Sequence, residues 1–319
     1  MKTKNAIVVH PNSHNYGDDI QSLAAYRLIY ELGNSIDYML DREKLSKKIT
    51  DDKIRLITNG WFMEKPDNWP PAKNIDPLFI SFHVTHNNNA SNLLVNKKNY
   101  NYFKKHEPIG CRDYHTVELF NNIGIKAYYS GCITLTLKRK ENIKSNKIVV
   151  VDAFNKNLPK KQRQKMFDNL FPDSIQKNIE IINHTHNSIE KNMNKRLDHA
   201  SKLLQKYSAA HLVVTSRIHV ALPCVALGTP VLFTDVGFNQ KNSRNRFDGI
   251  IKYFNKLNNN NFYFTGNDPI ALLYRKLHLY NYYYKSTKLN FDWDNPPKNP
   301  IDIRPIAQNI KLKVKDFLD

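Results

Sequence analysis

Short apolar runs alternate along the chain with amphipathic stretches, and polar turns separate them. A short apolar run between turn residues predicts a buried strand, whereas apolar residues at steps of three and four predict a helix. Strands are predicted at Ala6–Val9, Ile54–Thr58, Leu78–Phe82, Ile109–Arg112, Lys126–Ser130, Lys147–Asp152, Glu180–Asn183, His211–Thr215 and Thr229–Phe233. Helices are predicted at Ile20–Leu32, Thr116–Asn122, Pro159–Leu170, Arg196–Ala209, the stretch after His219 up to Leu227, Tyr280–Tyr284 and Pro305–Leu318.

The hydrophilic stretch Lys138–Asn146 separates two series of alternating strands and helices. Two such series predict an α/β protein with two doubly wound, Rossmann-like domains. We expect a first domain over residues 1–140, a second over residues 147–275, and a helical tail over residues 276–319 that packs back across both domains.

Composition argues against a disordered, a membrane-spanning or a secreted protein. With 41% hydrophobic residues the chain is too apolar to be disordered throughout. Its apolar runs are far shorter than the ~20 residues of a membrane-spanning helix, and no signal peptide is visible at the N-terminus. Cys111, Cys132 and Cys224 are widely spaced, so we expect reduced core cysteines in a cytoplasmic protein.

A strong positive charge indicates anionic partners. The 48 Lys and Arg residues exceed the 29 Asp and Glu residues, which gives a formal charge of +19. Nucleic acid, an acidic lipid surface and phosphorylated small molecules all fit such a field. No recognised nucleic-acid-binding motif accompanies the charge, so nucleic acid is not the expected partner.

The segment Ser216-Arg217-Ile218-His219 is the sharpest candidate site, because it lies where a predicted strand ends and a helix begins. Ligands of open α/β sheets bind at this position, and a helix N-terminus offers free N–H groups to anions. Arg217 adds a planar fork for carboxylate or phosphate, and His219 adds an acid/base group. The structural alternative is an ion pair of Arg217 and a packing or capping role for His219.

Two further segments follow predicted strands in the first domain. Arg112 can complete a cationic pocket with Arg217, or it can form a local salt bridge with Asp113 or Glu118. The loop Asn15-Tyr16-Gly17-Asp18 stands at the first strand–helix junction. Gly17 permits close backbone approach there, while Asp18 serves either as a helix cap or as a carboxylate for a sugar hydroxyl.

Other ligand motifs are missing. The chain has neither a GxxxxGK[ST] loop nor a GxGxxG fingerprint, so ATPase and ordinary dinucleotide functions lack support. His10, His14, His184 and His186 have no HExxH or cysteine context, and we expect them to be scattered, solvent-facing side chains. We therefore predict no bound metal and no cofactor.

Four segments together resemble the polysaccharide pyruvyl transferase family. They are NYGDDIQSLAA (Asn15–Ala25), GCRDYHTVELFNNIGI (Gly110–Ile125), SGCITLTL (Ser130–Leu137) and VVTSRIHVALPCVALGTPVLF (Val213–Phe233). The resemblance covers about residues 5–250. It implies a fold similar to GT-B glycosyltransferases, with the active site in a cleft between an acceptor-side first domain and a donor-side second domain.

The resemblance also implies a reaction and a set of site residues. Pyruvate would pass from phosphoenolpyruvate to hydroxyls of a bacterial cell-surface glycan, forming a ketal. His219 would be the acid/base group, Arg217 and Arg112 the anion clamps, Ser216 a neighbour of the donor, and Asn15, Tyr16, Gly17 and Asp18 the loop beside the acceptor. An acceptor attached to a lipid carrier would place the enzyme at the inner membrane face, where lysines favour contact with anionic lipids.

A GT-B glycosyltransferase that uses a sugar nucleotide is the strongest rival, because a diphosphate fits the same basic site. The preferred donor distinguishes the two enzymes. The sequence leaves the oligomeric state open.

Overall fold

The computed structural model describes residues 3–62, 68–84, 96–140, 143–154, 161, 164, 167–168, 170–235, 245–258 and 291–319. Within them, two fully parallel sheets with helical crossovers confirm the predicted α/β class with two Rossmann-like units. The domain boundaries and the GT-B likeness stay predictions. The predicted helix Tyr280–Tyr284 lies outside the described residues, as does most of Pro159–Leu170.

The first sheet has six strands in the spatial order β2-β1-β3-β4-β5-β6. They are β1 (Thr3–Val9), β2 (Tyr38–Asp41), β3 (Lys53–Phe62), β4 (Ile75–Val84), β5 (Ile109–Cys111) and β6 (Ala127–Tyr129). Its helices are α1 (Tyr16–Glu31), α2 (Lys97–Lys105) and α3 (Tyr114–Asn122), and short 3₁₀ turns occupy Arg42–Lys44 and Ile133–Thr136.

The second sheet has five strands in the order β11-β10-β9-β7-β8. They are β7 (Ile148–Val151), β8 (Ile179–Ile182), β9 (Leu212–Thr215), β10 (Val231–Asp235) and β11 (Asn255–Asn258). Its helices are α4 (Asp173–Gln176), α5 (Met193–Ala209) and α6 (Ile218–Ala226), followed by a 3₁₀ turn at Ile251–Tyr253 and the C-terminal α7 (Arg304–Leu318).

Alternation along the inner strands explains how the two sheets share a core. In β1, Ile7 and Val9 point into one apolar cluster, while Ala6 and Val8 point into another on the opposite face. Both faces are buried, as is usual for parallel sheets. The cluster that contains Ile7 also contains β7 side chains and apolar residues of α1, α5 and α6, so one core joins the two halves of the molecule.

The C-terminal segment contacts both halves. Trp293 packs in the apolar cluster on the outer face of the second sheet, and its carbonyl oxygen lies 3.1 Å from Nε2 of His211. Farther along, α7 packs against the first half, where Lys311 forms a 3.0 Å ion pair with Glu31 of α1. The chain therefore crosses from the second sheet back to the first.

All nine predicted strands are present, but β2, β11, α2 and the one-turn α4 were not predicted. Both missed strands lie at a sheet edge, where only one neighbour and little burial are required. In β11 Leu257 is buried between polar neighbours, and α2 buries only Asn99 and Phe103 of its nine residues. Such short elements bury only one or two side chains each, so their hydrophobic pattern is too brief to identify them. None of the helices in the described ranges is long and apolar enough to cross a membrane.

Candidate active site

The second sheet places Arg217 at its switch point, between β7 and β9, whose crossovers leave in opposite directions. Asp152 follows β7 in the left-handed region, with a φ of 43°. Its carboxylate Oδ2 accepts from both Nε and Nη2 of Arg217 at 2.9 Å. The Asp152 carbonyl accepts a hydrogen bond from Oγ of Ser216. The ion pair that the sequence offered as the structural alternative for Arg217 is thus present, yet the Arg217 side chain remains 30% exposed.

The first sheet brings the start of α1 to the same place. Asn15 caps α1, because its side-chain oxygen accepts from the Gly17 amide at 3.1 Å. Gly17 then packs directly under His219, and a Cβ at this glycine would lie 2.9 Å from the His219 Cβ. Real Cβ atoms essentially never approach so closely. The absent side chain of Gly17 is therefore what lets α1 and α6 meet.

Arg112 follows β5 and is almost fully buried. Its Nη1 lies 3.0 Å from Nε2 of His219, so the two halves of the molecule meet in this contact. A guanidinium can only donate hydrogen bonds, so Nε2 of His219 accepts and the ring proton lies on Nδ1. Nδ1 in turn lies 3.2 Å from Nε2 of Gln21 on α1, and it donates its proton to Gln21 when the amide group is turned to present its oxygen, which otherwise has no partner. The His219 ring is therefore held between Arg112, which follows β5, and Gln21 of α1.

The surroundings keep His219 neutral. Its ring is partly accessible, but burial by the dense protein around it lowers its pKa well below the usual 6.5, and the charge of Arg112 lowers it further. His184 and Arg246 act in the same direction. A bound anion beside Arg112 would reverse this electrostatic effect and raise the pKa of His219.

Arg246 is a third arginine of the site. Burial and the nearby charges of Arg112 and Arg217 lower its pKa to about 10, which shows that the three guanidinium groups lie within electrostatic range of one another. The N-termini of α1, α3 and α6 begin beside these residues and add positive partial charge. Such a site suits a small ligand with two anionic groups.

A buried network fixes the start of α1 against the second half. Asp19 accepts from Nε of Arg196 at 2.8 Å and lies 2.7 Å from Nε2 of His186. Arg196 also donates to the Ser13 carbonyl at 2.8 Å. All three side chains of the Asp19 network are buried, so the position of Gly17 under His219 depends on a cross-half ion pair.

The structure corrects two sequence predictions. Asp18 does not cap α1; Asn15 does, and Asp18 accepts instead from the Ser13 hydroxyl. The histidines were also misjudged, because only His14 is solvent-facing. His10, His184 and His186 are buried, and the Tyr16 ring packs on the His186 ring at a tilt of 39°, with 3.8 Å between the centroids. His184 and His186 belong to the interface between the halves, which no local pattern reveals.

Sequence reasoning missed Gln21, His83, Asp113 and Arg246 as residues near His219. Gln21 lies one helical turn after Gly17, a spacing that puts both on one face of α1. His83 ends a predicted strand and Asp113 follows Arg112, so both were at strand ends where ligands bind. In the described residues no group of three or more His, Cys, Asp or Glu side chains could hold a metal ion.

Comparisons with known proteins identify the family to which the chain belongs. No curated protein sequence matches the chain significantly. Among solved structures, a functionally uncharacterised protein from Klebsiella pneumoniae aligns with 80% of this chain and 92% of its own, at 13% identity and a TM-score of 0.46. A sequence model of polysaccharide pyruvyl transferases matches residues 15–237, which include both strand-end arginines, His219 and the start of α1. The chain therefore belongs to the polysaccharide pyruvyl transferase family and is an enzyme of pyruvyl transfer to a polysaccharide.

Proposed function

We propose that the donor is phosphoenolpyruvate and that the acceptor is a pair of hydroxyls on a bacterial cell-surface polysaccharide or its lipid-linked precursor. The product is a ketal, and inorganic phosphate is released. The contact between Arg112 and His219 carries this proposal, because it sets a buried cation against an acid/base group at the ends of both sheets.

The donor's charges fit the arginines. Phosphoenolpyruvate carries a carboxylate and a phosphate, and a guanidinium binds either group through two parallel hydrogen bonds. Arg112, Arg217 and Arg246 come from three separate segments, so together they can hold both ends of the donor. Arg217 then exchanges its bond with Asp152 for one with the ligand, which its partial exposure allows.

His219 supplies the proton that the reaction needs. The methylene carbon of the donor gains a proton while a sugar hydroxyl attacks C2. Before the donor binds, His219 is neutral and accepts a bond from Arg112. The donor's negative charge raises the pKa of His219, so that it takes up a proton and becomes an imidazolium beside the substrate. A positioned acid of this kind contributes about 10²–10⁴-fold to the rate.

The loop from Asn15 to Asp18 is proposed to border the acceptor, because it reaches the site from the opposite half to Arg217. A lipid-linked acceptor would bring the enzyme to the cytoplasmic face of the membrane, where its lysines contact anionic lipids. Flotation with vesicles of anionic and of neutral lipid tests this part. Equal recovery in both would contradict the membrane contact without affecting the donor assignment.

Thermal stabilisation tests the donor directly. Phosphoenolpyruvate at 100 times its dissociation constant adds about 2.7 kcal/mol, and each kcal/mol raises the midpoint by roughly 2–4 °C. We expect a shift with phosphoenolpyruvate, none with UDP-, GDP- or CMP-sugars, and loss of the shift in Arg217→Ala. Arg304→Ala is the matched control, since Arg304 is 88% exposed and pairs with Asp302. A shift with one sugar nucleotide alone would make this enzyme a glycosyltransferase.

A further inference from the structure

A buried histidine–aspartate pair lies beside the site and has no part in the reaction described above. Nδ1 of His83, at the end of β4, is 2.6 Å from Oδ2 of Asp113, which follows Arg112. Both side chains are buried, at 3% and 0% exposure. Capping of α3 does not account for the pair, because Asp113 uses its other oxygen, Oδ1, to accept from the amide and hydroxyl of Thr116.

The end of β4 is shaped to present His83. The pairing of β3 with β4 shifts register between Thr58 and Gly60, and Ser81 adopts a φ of 59°. Such bulges re-aim the side chains that follow them. Trp61 then meets the His83 ring edge to face, with 5.6 Å between ring centroids. A non-glycine residue in the left-handed region costs free energy, which marks this bend as an imposed feature.

Hydrogen bonding determines which nitrogen of His83 carries the proton. Asp113 is ionised: although burial opposes its charge, His83, Arg112 and the Thr116 amide lower its pKa to about 2. The carboxylate accepts, so Nδ1 of His83 carries the proton and Nε2 keeps a lone pair. In the described part of the chain, Nε2 makes no hydrogen bond.

The histidine–aspartate pair lies beside Arg112. Oδ2 of Asp113 is 4.0 Å from Nε of Arg112, whose Nη1 contacts His219. A proton on His83 would also lower the pKa of His219, so the two imidazoles lie within electrostatic range of each other. Because His219 and the Asp113 partner of His83 both lie next to the Arg112 guanidinium, both imidazoles can act on one ligand that Arg112 holds.

We propose that His83, oriented by Asp113, is a second catalytic residue that removes the proton from the attacking acceptor hydroxyl. Asp113 is its positioning residue. The inference rests on the proposed function, since it assigns a base to that reaction.

The proton transfers balance over the two halves of the reaction. First, Nε2 of His83 takes the proton of the first hydroxyl, its oxygen bonds to C2, and His219 gives its proton to the methylene carbon. Next, the second hydroxyl bonds to C2 and gives its proton to the now neutral His219. The bond from C2 to the phosphate oxygen breaks, and the leaving phosphate takes the proton from His83. Both imidazoles then return to their starting states.

The His83 tautomer can be measured without any acceptor. Nitrogen-15 NMR of the histidines in the whole protein, with the His83 signal assigned by its loss in His83→Gln, should show the Nδ1–H form at neutral pH, with and without phosphoenolpyruvate. In Asp113→Asn the amide oxygen stays with Thr116, so the amide NH₂ faces His83. The imidazole proton of His83 should therefore move from Nδ1 to Nε2. A wild-type His83 protonated on Nε2 at neutral pH, in either tautomeric or charged form, would overturn the proposal.

Turnover gives the second test. Phosphate release is measured with phosphoenolpyruvate and a panel of p-nitrophenyl hexosides. We expect His83→Gln and Asp113→Asn each to lose about 10²–10⁴-fold in turnover, while their thermal shift with phosphoenolpyruvate persists. Asparagine caps helices as well as aspartate, so Asp113→Asn preserves α3. His106→Gln is the control, since His106 packs on Tyr102 and touches none of the site residues.

The two hypotheses fail differently. Wild-type protein without a phosphoenolpyruvate shift would contradict the donor assignment. A normal shift together with undiminished turnover in His83→Gln would contradict only the role of His83. If no hexoside is an acceptor, the tautomer measurement decides.

Discussion

Nη1 of Arg112 lies 3.0 Å from Nε2 of His219, although the two residues belong to different sheets and are more than one hundred positions apart. The contact fixes the protonation state of the free enzyme, because a guanidinium leaves the imidazole no role but acceptor. It also links donor binding to proton uptake, since an anion beside Arg112 favours the charged imidazole.

Replacing His219 separates proton transfer from donor binding. We expect His219→Ala to lower turnover at least about 10²-fold, because the variant lacks the proposed acid. Its thermal shift with phosphoenolpyruvate should remain, since the arginines still hold the anionic groups. His199→Ala, on an exposed position of α5, should leave both measurements unchanged. Near-normal turnover in His219→Ala would remove the acid/base assignment.

Alanine should lower turnover when it replaces Gly17 and leave turnover intact when it replaces Gly33. Gly17→Ala places a Cβ 2.9 Å from His219, so turnover should fall about tenfold or more, the effect of roughly 1.4 kcal/mol on a barrier. The free energy of unfolding should also fall, by about 1–3 kcal/mol, because the added Cβ overpacks the contact between α1 and α6. Gly33→Ala meets no neighbour but has a φ of +79°, so it should cost about 1 kcal/mol of stability and leave turnover intact. Matching losses of turnover in both variants would contradict this account.

The cross-half network should contribute strongly to stability. Asp19→Asn leaves Arg196, which is fully buried, without its carboxylate, and we expect a loss of about 3–5 kcal/mol in the free energy of unfolding by urea. The control is Asp198→Asn, which removes an exposed pair with Lys202 at 2.7 Å and should cost less than about 1 kcal/mol. Equal losses in the two variants would show that the buried pair has no special role.

Buried His10 should make the fold sensitive to acid. Burial lowers the pKa of His10 to about 4, below the 6.5 of the unfolded chain. Below pH 6.5 the unfolded state therefore binds a proton that the folded state refuses, and stability is lost as the pH falls toward 4. Between pH 7 and pH 5 the wild type should lose about 2 kcal/mol more than His10→Gln. Parallel pH profiles of the two proteins in urea unfolding would contradict this.

The inner elements were predictable because each one buries both faces or one continuous stripe. In β7 the run Ile148–Val151 is wholly buried, and that composition alone indicates a strand. At the edges the constraint weakens. In β2 only Leu40 of four residues is buried, and in β11 three of four residues are polar, so no period in so few residues distinguishes these strands from loops. The predicted end of α1 near Gly33 is confirmed, since Gly33 adopts the left-handed conformation that ends a helix.

The sequence by itself determined the α/β class, the family, and the strand ends that carry Arg112, Arg217 and His219, because local patterns encode strands, helices and the turns between them. Tertiary structure alone decided which of these residues touch. The approach of Gly17 to His219, the buried Asp19–Arg196 pair and the His83–Asp113 pair each join segments distant in sequence. Their formation depends on how two sheets pack on one shared core, and a one-dimensional pattern does not contain that geometry.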